Sequence, residues 1–178
     1  LENLPGFLKQ AMAAAAAERG LEGKHVVTLA RSIIEPFLTF CENRDLREKA
    51  FKAWTARGEN GGKTDNREII SEILALRDRK AKLLGYEHYA ALKLDNTMAK
   101  TPQAVNELLE SVWEKALVKA GEEEQELAAL VAGEGKNHAV APWDWRHYAE
   151  KLRAQKFDFS ESELKPYFQL EQVIAACV

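Results

Sequence analysis

Apolar residues spaced three and four apart, punctuated by capping residues and glycines, constrain this chain more than any other feature. The clearest run lies between Asp65 and Gly85, where Ile69, Ile70, Ile73, Leu74, Leu76 and Leu83 form one broad face and Glu, Arg and Lys the other. Asp65 or Asn66 caps this helix and Gly85 closes it. A similar pattern starts at Thr101-Pro102, a cap followed by proline at the first helical position, and runs to about Ala132. Val105, Leu108, Leu109, Val112, Ala116, Leu127, Leu130 and Val131 carry its stripe, and Gly121 is a place for a bend.

The same grammar fills most of the chain. Asn3 caps a first helix over roughly residues 4–19, where the alanine run has the best helix propensity available, and Gly20 stops it. Residues 31–41 are helical with a kink or break at Pro36, because proline removes a backbone donor and clashes with the preceding turn. Asn43 or Asp45 caps a helix with Leu46, Ala50, Ala53 and Trp54 on its apolar side, ended by Gly58. A short helix covers about Glu87 to Leu94, and Asp144 caps another that runs to about Gln155. Phe157-Asp158-Phe159 reads as an extended link, Ser160 and Glu163 as a capping box, and Pro166 as a stop. Leu170, Val173 and Ile174 then restart an amphipathic helix that runs to Val178 with no cap or polar tail, so a cut chain is expected. The β-branched stretch His25–Leu29 is the one strand candidate. The expected fold is all-α, with at most one or two short strands near residues 24–29.

Composition excludes some function classes. With 46% hydrophobic and 30% charged residues the chain reads as an ordinary soluble globular one. A net charge of −3 with interspersed signs offers no basic stripe for nucleic acid, and no apolar run is long enough to span a bilayer. Glu2 and Pro5 stand where a signal peptide would carry positive charge, so the cytoplasm is the expected location. Cys41 and Cys177 have no ligand-like spacing; two buried free thiols are expected rather than one long-range disulfide.

No HExxH, P-loop, GxGxxG or GxSxG occurs, and the four histidines, His25, His88, His138 and His147, are scattered. Asp144, His147 and Glu150 have the best metal-like spacing, three apart on one helix, but offer a single imidazole; a solvated polar face is the expected reading. Glu122, Glu123, Glu124 and Glu126 likewise read as a solvated acidic face rather than a cation site. Trp54 and Trp113 fall on apolar stripes as core residues, whereas Trp143 and Trp145 flank Asp144 as a staple or as packing between helices. The loop Gly58–Thr64 could cradle an anion at the next helix start, yet it lacks P-loop spacing and reads as a flexible connector.

Several strings, in order and in one register, resemble a known family. They are Asn43-Arg44-Asp45-Leu46-Arg47 before Ala53-Trp54, and Gly61-Gly62-Lys63-Thr64-Asp65-Asn66 before Ile69 to Arg77. Leu83-Leu84-Gly85-Tyr86, Met98 to Pro102, Pro142-Trp143-Asp144-Trp145 with Tyr148 to Lys151, and Leu164 to Phe168 follow. Together they resemble the thimet-oligopeptidase-like zinc metallopeptidases, in particular their bacterial peptidyl-dipeptidase and oligopeptidase A branch. The resemblance implies that residues 1–178 are one helical segment of a larger, two-lobed helical peptidase, without its upstream helical portion and its downstream zinc-binding portion. It implies a parent that uses zinc to hydrolyse short peptides, with this segment as scaffold and channel wall. It transfers no catalytic or metal-binding residue to any position here, and no zinc is expected on this segment. Exposed apolar side chains such as Leu170, Val173 and Ile174 imply self-association. A standalone helical module that holds partner helices in apolar grooves is the alternative.

Overall fold

The computed structural model describes residues 3–157 and 167–177. Among these the chain forms eight α-helices and no strand: α1 (Gly6–Ala17), α2 (Arg31–Phe40), α3 (Arg44–Thr55), α4 (Arg67–Leu83), α5 (Tyr89–Leu94), α6 (Pro102–Gly133), α7 (Pro142–Phe157) and α8 (Leu170–Ala176). The all-α expectation holds. The capping box at Ser160 and Glu163 and the stop at Pro166 lie outside the described residues, as do Asp158 and Phe159 of the extended link. Phe157 belongs to α7.

Local chemistry explains most helix ends. The Asn43 side chain accepts from the Leu46 backbone N–H at 3.0 Å, and the Thr101 hydroxyl accepts from Ala104 N–H at 3.2 Å ahead of Pro102. Gly20, Gly58 and Gly85 follow α1, α3 and α4 with positive φ, a conformation that a Cβ disfavours. Three boundaries differ from expectation. No side chain caps α1, which starts at Gly6 after an extended Pro5 rather than on Asn3. α7 starts at Pro142, which suits the first helical position, so Asp144 sits inside the first turn rather than at the cap. α2 runs unbroken through Pro36, because the carbonyl that the missing N–H would bond belongs to exposed Ser32, where water can satisfy it.

The described residues divide into two compact units, between which the chain passes within α3 and within α6. In the unit built from Leu1–Phe51 and Leu127–Val178, α1 and α2 enclose Leu4, Leu8, Met12, Ala15, Ile33, Phe37 and Cys41. The strand expected at His25–Leu29 is a packed connector: Val26 donates its N–H to the Met12 carbonyl at 3.0 Å, and Val26 and Val27 lie against the α1–α2 core. With no neighbouring strand among the described residues to pair with, the β-branched run stays outside regular secondary structure. A second cluster joins Leu127 and Val131 of α6 to Tyr148 of α7, and α2 packs on α7.

The unit Lys52–Glu126 contains α4, α5 and the first part of α6. Its α4 packs on α5 around the buried Ala81. The apolar face of α4, Ile69, Ile70, Ile73, Leu74, Leu76 and Leu83, is exposed, and so are Leu108, Leu109, Val112 and Trp113 on α6. Trp113, read as a core residue, is 63% exposed. Trp54 is half-buried. Cys41 is a buried free thiol whose pKa burial raises, whereas Cys177 is free but exposed, contrary to expectation.

Candidate functional site

The most concentrated polar chemistry lies where α3 meets α7, and it is buried rather than wet. Asp144 is fully buried and receives two arginines. Arg44 reaches its Oδ2 through Nε at 3.0 Å and Nη2 at 2.9 Å, and Arg47 reaches Oδ1 through Nη2 at 2.8 Å. Arg47 is itself only 1% exposed. Its other donors go to backbone carbonyls: Nη1 to Cys41 at 2.8 Å and Glu42 at 3.0 Å, Nε to Trp143 at 3.2 Å. Asp144 Oδ2 also accepts from Ala141 N–H at 3.2 Å, which ties the carboxylate to the start of α7. Burial pushes this carboxyl up, but the hydrogen bonds from Arg44 and Arg47 outweigh it and hold the pKa below the usual range. Trp143 roofs the cluster, edge-on to Phe51 at 6.3 Å, with the Arg44 guanidinium 5.5 Å from its ring centre.

His147 lies one turn on and is 3% exposed. Its Nδ1 is 3.0 Å from the Thr39 carbonyl of α2. A carbonyl only accepts, so Nδ1 carries the hydrogen and Nε2 a lone pair, for which no donor among the described residues is in reach. Burial, then the Arg47 charge, lower its pKa to about 4. Beside it, fully buried Tyr148 is within 3.2 Å of Lys136 Nζ, and Glu134 pairs with both Lys136 and Lys151. Those lysines hold the Glu134 carboxyl down at about 2.

These positions bear on the candidate triad. Asp144, His147 and Glu150 do not converge: Asp144 is taken by the arginines, His147 by Thr39, and Glu150 by Arg153 at 2.7 Å. Among the described residues no three metal-capable side chains gather around one point. A zinc ion needs free donors, and here Asp144 would have to leave two guanidiniums unpaired, one of them buried, to supply them. These residues do not fit a zinc ion. The solvated face expected here is corrected for Asp144 and His147, because α3 delivers the arginines that make burial of a carboxylate tolerable.

The other candidates are plainer. Glu122, Glu123, Glu124 and Glu126 are exposed, with Glu122 3.0 Å from Lys119. In the glycine loop, Asp65 occupies the place an anion would take: its carboxylate accepts from Gly61 N–H at 2.9 Å and Arg67 N–H at 3.0 Å. The Arg67 side chain pairs with it too and holds its pKa well below the usual range. Trp145 packs between helices against Leu127, Val131 and Tyr148, as expected. An open cleft of about 360 Å³ lies beside the buried cluster, lined by Leu4, Phe40, Cys41, Asn43 and Leu46 among others.

Arg44 and Arg47 carry the site, and the sequence reading gave them no role. Both stand in one of the strings that carry the family resemblance, and Asp144 stands in another, so the signal was the pairing of two such strings across about a hundred residues.

The model of peptidase family M3 matches residues 37–177. The chain is 37% identical over 177 residues to a dipeptidyl carboxypeptidase of Escherichia coli, covering 98% of this chain and 26% of that protein. It is 38% identical to oligopeptidase A of Haemophilus influenzae, with 98% and 26% covered. It is 35% identical to a probable cytosolic oligopeptidase A of Arabidopsis thaliana, with 99% and 26% covered. The chain thus spans about a quarter of the length of these curated relatives.

Proposed function

Because the chain belongs to peptidase family M3, we propose that it serves as a scaffold and channel-wall segment of a zinc-dependent oligopeptidase or peptidyl-dipeptidase that hydrolyses short peptides. The observation that carries this reading is the Arg44–Asp144–Arg47 cluster. It commits the Asp144 carboxylate to two arginines and uses it to fix α7 against α3. No catalytic step is assigned to a residue of this chain; on this reading zinc and its ligands would be supplied by a part of the parent peptidase outside this segment. Among the described residues no helix is long and apolar enough to cross a membrane, and a cytoplasmic peptidase is the location this reading favours.

Reconstitution tests it. The chain is mixed with a separately expressed polypeptide that carries the HExxH portion of a family member, and hydrolysis of a quenched fluorescent peptide is followed. Turnover that requires both polypeptides supports the reading. A remainder that is equally active without the chain contradicts it.

A further inference from the structure

We propose that His147 is an acid-sensitive latch between α7 and α2, whose protonation in its closed setting opens the contact between these two helices.

The geometry leaves a second proton on this imidazole nowhere to go. Nδ1 already donates to Thr39, and Nε2 is buried with no acceptor among the described residues in reach, so an imidazolium would carry an unpaired N–H as well as a buried charge. The surrounding charges do not help. From α3 come Arg44 and Arg47, against the single carboxylate of Asp144 on α7. From the end of α6 and the connector to α7 come Glu134, Lys136 and His138, and from α7 itself Lys151. Each of these two groups therefore holds two permanent cations to one carboxylate already committed to them, and Glu150, also on α7, is committed to Arg153 at 2.7 Å. Tyr148 presents an edge-on ring 5.2 Å away, which offers the charge little. The outer ion pair between Arg146 of α7 and Glu35 of α2, 3.1 Å long, is half-exposed and replaceable by water, so it does not hold the helices once His147 is charged. Opening the α2–α7 contact is what lets the imidazolium reach water.

The sign follows from the lowered proton affinity. A histidine that titrates lower in the folded chain than its ordinary 6.5 binds fewer protons folded than unfolded. Its contribution to stability is complete above about 6.5, declines as the pH falls, and is gone once the pH passes about 4.

The test is urea unfolding of the whole chain from about pH 7.5 to about pH 4, comparing wild type with His147→Asn, whose amide can keep the bond to Thr39 without titrating. Over that range wild type should lose roughly a hundredfold more in its folding equilibrium than the variant does. Parallel profiles would overturn the latch. Should His147→Asn not fold, the wild-type imidazole is titrated by NMR while α7 amide exchange is followed. Titration near 4 with rising α7 exchange supports the proposal; titration near 6.5, or α7 exchange that does not respond, overturns it.

Discussion

Arg47 and Asp144, ninety-seven positions apart, meet at 2.8 Å with both side chains withdrawn from water. The pair joins α3 to α7 and places the end of α2, through the Cys41 carbonyl that Arg47 also binds, at the same point. A single substitution should therefore be felt across three helices.

Asp144→Ala removes the carboxylate and leaves two guanidiniums, one of them fully buried, without a counter-charge. Breaking one side of a buried pair costs about 3–5 kcal/mol, and urea unfolding should show a loss of that size. A change below about 1 kcal/mol would mean that Arg47 finds water instead.

The two units should answer core truncation differently. Leu127→Ala empties a fully buried site beside Val131 and Tyr148 and should cost about 2–5 kcal/mol. Leu109→Ala, on the exposed row of α6, should stay within about 0.5 kcal/mol. Denaturant midpoints at constant m-value decide it.

That contrast marks what the sequence could and could not convey. Caps and stops are local, so Asn43, Thr101 and the glycines after α1, α3 and α4 were legible, and with them the all-α architecture. Whether an apolar stripe is covered depends on what lies opposite it, and no local pattern encodes that. The stripe of α4 looks the same on paper as that of α2, yet Ile73 and Leu76 are exposed while Ile34 and Phe37 are buried. Arg47 shows the converse: a charged residue reads as surface until its partner, far away in sequence, is known to be buried beside it.

Exposed rows of this kind favour association. The apolar side chains Leu170, Val173 and Ile174 on α8, together with those of α4 and α6, should bring copies of the chain together. Light scattering across a concentration series should show mass rising with concentration, and replacing Ile73 and Leu76 with serine should reduce it. A constant monomer mass at high concentration would count against this.

In the proposed role this segment holds helices in place and performs no chemistry of its own. The direct measurement is hydrolysis of a quenched fluorescent peptide by the purified chain alone, with and without added zinc. No turnover is expected in either case, since Asp144, His147 and Glu150 are each engaged by Arg44 and Arg47, Thr39 and Arg153. Zinc-dependent turnover that disappears in His147→Ala would contradict the claim and make that helix face an active site.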